Sequence, residues 1–423
     1  MQIRGGCRLT SLESSLNIQR MREIFTGSFT QQEPIPEEGI EAALAVMRHG
    51  RLHRYNLKPG EIGEAALLEQ EFAAYCGAKY CLAVTSGGYA MATAMRAAGV
   101  KPGDKVLSNA FTLAPVPGAI AGVGAVPVFV EVTEALTLDL VDLESKIATS
   151  GARFLLLSHM RGHICDMDQL MQICDAAGVR VIEDCAHTMG AAWRGVPSGR
   201  HGIAGCYSTQ TYKHMNSGEG GFLVTDDADL AARAVMLSGS YMLYERHMAA
   251  PPPEAFETIR YETPNMSGRM DNLRAAILRA QVRVLPEQCA RWNERYRALE
   301  AGLRDVPGLQ LIERPEAETY VGSSFQVLLA DWAGAAVAQV VQRCHDCGVE
   351  LKWFGAAEPV AFTSKYDSWR YAQSAPLPQT DRVLAGLLDM RVPLTFSLDD
   401  CAMIARIIRA EVSAVYQQSH SAA

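Results

Sequence analysis

The sequence predicts an α/β protein: a mostly parallel seven-stranded sheet covered by helices on both faces, followed by a smaller α+β region. Three observations carry this. Between Tyr80 and Asp227, short apolar runs alternate with helical segments, the rhythm of parallel strands joined by crossover helices. After Asp226 the pattern turns to long helices, and beyond Pro307 short strands and helices mix. With 48% hydrophobic and 20% charged residues over 423 positions, the chain can bury a large core, which excludes disordered and collagen-like classes.

The seven strands are expected at Tyr80–Val84, Lys105–Ser108, Val126–Val132, Arg153–Ser158, Val179–Asp184, Cys206–Gln210 and Gly221–Asp226. Between them, GYAMATAMRAAG after Gly87 reads as a helix. So does DMDQLMQICDAAG, capped by Asp166 or Asp168 and ended by Gly178. ADLAARAVMLSG, GRMDNLRAAILRAQVRVL and an amphipathic run through Arg304 follow as separate helical stretches. LQLIE, SFQVLLA and VELKWF read as strands of the smaller region, with helices at AAVAQVVQRCHDCG and Asp399–Val412. The expected division is an N-terminal extension (1–30), a large cofactor domain (31–261) and a helix-led small domain (262–423).

Charge and cysteine usage narrow the function. The balance of 39 Lys+Arg against 47 Asp+Glu gives −8 and no basic block, so nucleic acid is not an expected partner. The 11 cysteines are scattered, odd in number and mostly set in apolar runs, the usage of a reduced cytoplasmic protein. The N-terminus lacks the apolar core of a signal peptide, and no apolar stretch reaches the ~20 residues that span a bilayer, so neither secretion nor a membrane is expected.

The chemistry concentrates in CYSTQTYKHMNSGEGGFLV, a strand-like run ending on Lys213 before a glycine-rich turn. A lysine with a lowered pKa is what amine chemistry on carbonyls needs; taken alone, Lys213 reads as a surface lysine. Asp184, however, ends a predicted parallel strand, where open α/β sheets place ligand contacts. A carboxylate there suits the protonated pyridine nitrogen of pyridoxal phosphate (PLP). Ser86-Gly87-Gly88 runs from a strand into a helix, whose free N–H groups suit a phosphate, and Ser208 offers a further hydroxyl. Separately, each of these is ordinary. Cys344-His345-Asp346-Cys347 is a lone CxxC and is expected to be a buried thiol pair; no metal site is expected. His159 and His163 read equally as substrate-orienting groups or as satisfied buried histidines.

Together SGGYAM, PGDKVLSNAFTLAPVPGAI, LLLSHMRGHICDMDQL, IEDCAHTMGA and YSTQTYKHMNSGEGG resemble, in order, the motifs of the DegT/DnrJ/EryC1/StrS family of PLP-dependent sugar aminotransferases, of the fold type I (aspartate aminotransferase-like) class. The resemblance runs from about Pro34 to Asp400. It implies that Lys213, followed by Gly218-Glu219-Gly220-Gly221, forms the Schiff base with PLP, and that Asp184 pairs with the ring nitrogen. It also implies that His187 lies near the 3-hydroxyl, and that Gly87, Gly88 and Ser208 hold the phosphate. Three positions depart from the family pattern. The ring-stacking aromatic aligns with Leu113, with Phe111 two residues earlier. Arg161 stands where relatives carry an aromatic, and with Met242–His247 it hints at a polar or anionic substrate. Ser267 aligns with an asparagine that often reaches the partner subunit, while Asn265 lies nearby.

The implied activity moves an amino group from glutamate or glutamine to a keto sugar, nucleotide-linked, or a keto-cyclitol. Lys213 serves as base and acid, pyridoxamine phosphate is the halfway form, and a homodimer is expected. The alternatives are a sugar dehydratase, which carries histidine in place of the lysine, another fold type I reaction, and a non-enzymatic sensor.

Overall fold

The computed structural model describes residues 22–421. The seven expected strands are present as β1 (Tyr80–Val84), β2 (Lys105–Asn109), β3 (Val126–Val130), β4 (Phe154–Ser158), β5 (Arg180–Asp184), β6 (Ala204–Ser208) and β7 (Gly221–Thr225). They form one sheet in the order β1-β7-β6-β5-β4-β2-β3. β7 pairs antiparallel with both neighbours and the other contacts are parallel, so six strands share one direction. Alternation buries both faces: Leu155, Leu157, Val181, Phe222 and Val224 face one core, while Leu156, Ile182 and Leu223 face the other.

The flanking helices are α1 (Glu37–His49), α2 (Glu64–Cys76), α3 (Gly87–Ala97), α4 (Pro115–Gly122), α5 (Leu140–Ser150), α6 (Met167–Ala177) and α7 (Ala228–Ser238). Asp166, and not Asp168, caps α6 by accepting from Gln169 N, and Gly178 ends it in the left-handed region.

Then comes α8 (Asn272–Leu303), a single helix of 32 residues that carries Pro286 inside it. The two stretches expected here are therefore continuous. The helix starts at Asn272, because Asp271 accepts from Arg274 N and caps it. α8 packs against α1, α2 and the last helix.

A second, antiparallel sheet has the order β8-β9-β11-β10, from β8 (Gln310–Leu311), β9 (Ser324–Leu328), β10 (Lys352–Trp353) and β11 (Leu387–Arg391). β11 was not expected from the sequence, because Asp389 and Arg391 break its apolar run. Helices α9 (Gly334–Asp346), α10 (Pro378–Ala385) and α11 (Leu398–Ser421) complete this part. α11 runs past the expected Val412, since Val415 is also buried in the core. Cys344 and Cys347 are buried there too.

Of the expected extension, residues 1–21 lie outside the described residues. The rest of it, up to residue 30, is irregular and seats Phe25 and Phe29 edge-on against Phe396. Among the described residues, no helix is long and apolar enough to cross a membrane.

Candidate active site

Because six strands run the same way, the carboxyl ends of β1, β4, β5 and β6 open on one edge of the sheet, as does the start of β7. A cavity of about 590 Å³ lies there. Gly87, Gly88, Asp184, His187, Ser208 and Lys213 all line it, so the structure brings every sequence-predicted site residue together.

Lys213 does not end a strand, contrary to expectation. β6 stops at Ser208, and the chain then folds into a turn in which Thr209 N donates to Gly220 O and Lys213 N to Gln210 O. That turn carries Nζ to 3.0 Å from Nε2 of His187. Burial of the ammonium, with Arg161 and Arg391 nearby, lowers the Lys213 pKa to about 7 despite the opposing pull of Asp184. Burial and Lys213 push His187 well below the usual histidine range, so its imidazole is neutral.

Asp184 is buried and oriented on both oxygens: Ser158 Oγ donates to Oδ2 at 2.8 Å and Ala186 N to Oδ1 at 3.1 Å. Ser158 is fixed in turn by Thr112 Oγ1, which donates to its Oγ at 2.8 Å.

On the opposite wall, Ser86 caps α3 by accepting from Tyr89 N, leaving the first N–H groups of that helix, on Gly87 and Gly88, without intrahelical partners. A Cβ on Gly87 would come within 2.9 Å of Ser208 Cβ, whereas one on Gly88 would meet nothing closer than 3.8 Å. A Cβ on Gly221 would lie 2.5 Å from Tyr207 O and 2.7 Å from Gly87 N. Glycine at 87 and 221 therefore lets β6, β7 and the start of α3 approach closely enough to form an anion cradle.

The structure places Leu113 and Phe111 differently. Leu113 lines the cavity, while Phe111 is buried elsewhere, edge-on to Phe354 at 5.1 Å. Arg161 also lines the cavity. His159 and His163 do not: both are buried, His159 with Nε2 3.0 Å from Glu183 and Nδ1 without a hydrogen-bond partner, His163 with Nε2 2.9 Å from Gln326. His214 is equally remote, with Nε2 3.0 Å from Ser323 Oγ and its ring edge-on to Trp292. Asn265 Oδ1 accepts from Ser267 N in an exposed turn. From Met242–His247, His247 joins a buried cluster with Arg54, Tyr55 and Glu69 away from the cavity.

His159, Glu183 and Cys185 lie close enough together for a metal ion. The Glu183 carboxylate, however, already accepts from the backbone N–H of Gly199, His201 and Gly202 and faces His159, which uses its lone pairs.

Sequence reasoning missed Arg391, Phe362, Tyr212 and Ser158 as site residues. Arg391 lies 3.9 Å over the Tyr212 ring and 5.2 Å from the Phe362 ring, and no ion pair engages it among the described residues. Its signal in the sequence is a charge closing the run Leu387–Arg391, whose first four positions are buried.

The DegT/DnrJ/EryC1/StrS aminotransferase family matches residues 35–409 of the chain. The L-glutamine:scyllo-inosose aminotransferase of Streptomyces griseus is 38% identical over 284 residues, which span 66% of this chain and 66% of that protein. The L-glutamine:2-deoxy-scyllo-inosose aminotransferase of Streptomyces fradiae is 32% identical over 334 residues, 74% of this chain and 77% of its own. Among solved structures, DesV of S. venezuelae superposes with a TM-score of 0.74 at 27% identity, covering 88% of this chain and 94% of that one.

Proposed function

The chain belongs to the DegT/DnrJ/EryC1/StrS aminotransferase family and is a PLP-dependent aminotransferase; from that premise we propose that it moves an amino group from glutamine or glutamate to a keto sugar or keto-cyclitol. The residues present fit the cofactor. A lysine of lowered pKa, an oriented carboxylate and a glycine-lined helix N-terminus share one cavity. The observation that carries the reading is the placement of Lys213 beside neutral His187 and in the same cavity as Asp184.

When bound, PLP supplies a carbonyl that takes up amines and a protonated ring that accepts the electron pair left at the donor Cα. Asp184, held by Ser158 and Ala186 N, keeps a negative charge for the ring nitrogen. The N–H groups of Gly87 and Gly88, with Ser208 Oγ, hold the phosphate. His187 and Leu113 line the same cavity, where His187 would serve the 3-hydroxyl of the bound cofactor and Leu113 would give its ring an aliphatic contact. Arg391, the guanidinium without an ion pair, takes the donor carboxylate. Lys213 Nζ removes the proton from the donor Cα and returns it within the cavity; for the keto acceptor the same amine runs the transfer in reverse.

The proposal includes a homodimer acting in the cytoplasm. Tyr241, Met242 and Met266 are large exposed apolar side chains of the kind a second copy would cover. The cysteines described are all buried and free, as in reducing compartments. The division into a large domain over 31–261 and a small one over 262–423 belongs to the same proposal.

Purified protein should carry a visible PLP band that borohydride removes while labelling Lys213, and glutamine or glutamate should convert the band to the pyridoxamine phosphate spectrum. Protein that takes up no PLP, or a spectrum unchanged by every amino donor, would sink the reading.

A further inference from the structure

Arg161 occupies an unusual place in the cavity wall. It sits between β4 and α6 at φ 55°, a left-handed conformation that arginine seldom adopts. Its side chain is 6% exposed and lines the cavity. Nη2 lies 2.7 Å from Oδ2 of the fully buried Asp389 on β11, and the guanidinium sits 4.4 Å from the centre of the Phe362 ring. Asp389 is itself held, because Gln326 Nε2 donates to its Oδ1 at 2.7 Å, and Gln326 Oε1 meets His163 Nε2 at 2.9 Å. Arg161 and His163 come from the turn after β4, whereas Gln326 and Asp389 belong to the second sheet. The ion pair therefore crosses from one sheet's edge to the other and is neutral as a unit. Nε and Nη2 of Arg161 and Oδ2 of Asp389 are all buried without a hydrogen-bond partner, so charge and not an aligned hydrogen bond joins the pair.

We propose that Arg161 is a specificity-determining residue for the keto acceptor, and that the acceptor it reads is an uncharged polyhydroxylated cyclic ketone and not a nucleotide-linked sugar. This rests on the aminotransferase reading above. A guanidinium already paired with a buried carboxylate offers directional N–H donors, which suit hydroxyl and carbonyl oxygens. A diphosphate calls for clustered, unpaired cations. This cavity presents one such guanidinium, Arg391, which the donor carboxylate takes, and Glu219 in the same wall repels further anions. The Phe362 face beneath Arg161 adds an apolar surface for the C–H face of a ring. A volume of about 590 Å³, shared with the cofactor, leaves room for a ring-sized acceptor.

The test compares scyllo-inosose with a dTDP-linked keto sugar as acceptors for the holoenzyme, and measures calorimetric binding of scyllo-inositol, which lacks the reacting carbonyl. The wild type is expected to show the higher kcat/KM with scyllo-inosose. Arg161→Met should raise the ratio of the acceptor's KM to that of glutamine about tenfold and weaken scyllo-inositol binding by a similar factor. Preference for the nucleotide-linked sugar, or an unchanged ratio and unchanged binding in Arg161→Met, would overturn the proposal. Should Arg161→Met fail to fold because it leaves Asp389 buried and unpaired, Arg161→Met/Asp389→Leu removes both charges and must show the same rise; an unchanged ratio there overturns it equally. A wild-type spectrum that no amino donor alters would defeat the aminotransferase reading instead, and the scyllo-inositol titration would still report on Arg161 separately.

Discussion

Nζ of Lys213 lies 3.0 Å from Nε2 of His187, and both groups titrate below their ordinary ranges. Burial comes first among the causes and nearby cations second, so the pair is poised to be neutral near pH 7. A neutral amine is the nucleophile, and its fraction grows as pH rises through the pKa. The rate at which cofactor-free protein takes up PLP should therefore rise with pH and level off above about 7, whereas an ordinary lysine would keep gaining up to pH 10 and beyond. Removing a like charge favours the ammonium, so Arg161→Met should move this midpoint upward. Stopped-flow absorbance across pH checks both, and an unmoved midpoint would show that Arg161 does not act on Lys213.

Lys213→Ala removes the one lysine that lines the cavity among the described residues, and turnover should fall by at least ~10²-fold. Asp184→Asn should cost a comparable factor, since the amide cannot hold a negative charge at the ring nitrogen. Ser158→Ala, which removes one of the two bonds orienting Asp184, should cost about tenfold through positioning alone. Single-turnover rates with glutamine separate the three. Equal losses in Ser158→Ala and Asp184→Asn would mean that orientation, and not charge, carries the role of Asp184.

The first sheet is legible in the sequence because each strand is a compact apolar run bounded by a turn or a helix cap, such as Asp166 and Gly178 around α6. The cofactor residues are legible because Ser86-Gly87-Gly88 and Asp184 each sit where a strand ends, and because Lys213 stands directly before a glycine-rich turn. What stays hidden depends on distant partners. β11 escapes notice because Asp389 and Arg391 interrupt its apolar run; only the fold shows that Asp389 pairs with Arg161 and accepts from Gln326. Pro286 reads as a helix break, yet contacts with α1, α2 and α11 keep α8 continuous. Lys213 reads as the end of a strand because aromatic and β-branched residues precede it; the Thr209–Gly220 closure that forms the turn is a hydrogen bond without a local pattern.

The anion cradle makes a steric prediction. Gly87→Ala places Cβ 2.9 Å from Ser208 Cβ, pushing the helix terminus off β6, while Gly88→Ala enters open space at 3.8 Å from its nearest neighbour. PLP affinity, measured by fluorescence titration, should fall at least tenfold in Gly87→Ala and change little through sterics in Gly88→Ala. Similar losses at the two positions would show that the close approach of α3 to β6 does not set the phosphate site.

Away from the cavity, Glu69 anchors a fully buried cluster. Arg54 donates to it through two N–H groups at 2.8 Å each, Ala83 N donates at 2.9 Å, and His247 Nδ1 lies 3.0 Å away. Burial opposes its ionisation, but Arg54 and His247 outweigh that and hold its pKa down to about 2. A carboxyl with a folded pKa below its unfolded value stabilises fully above the unfolded value, near 4.5, and loses that contribution as pH falls towards 2. Thermal unfolding should therefore show stability dropping across that window. Glu69→Gln leaves the Arg54 charge buried without a partner and should destabilise by about 3–5 kcal/mol at neutral pH, while flattening the acid dependence. Since α2 and the segment around Tyr55 and His247 meet at this cluster, its loss should loosen β1 through Ala83 and reach Ser86 and the head of α3. A Glu69→Gln protein that kept wild-type stability and its acid transition would show that the cluster is not what holds these segments together.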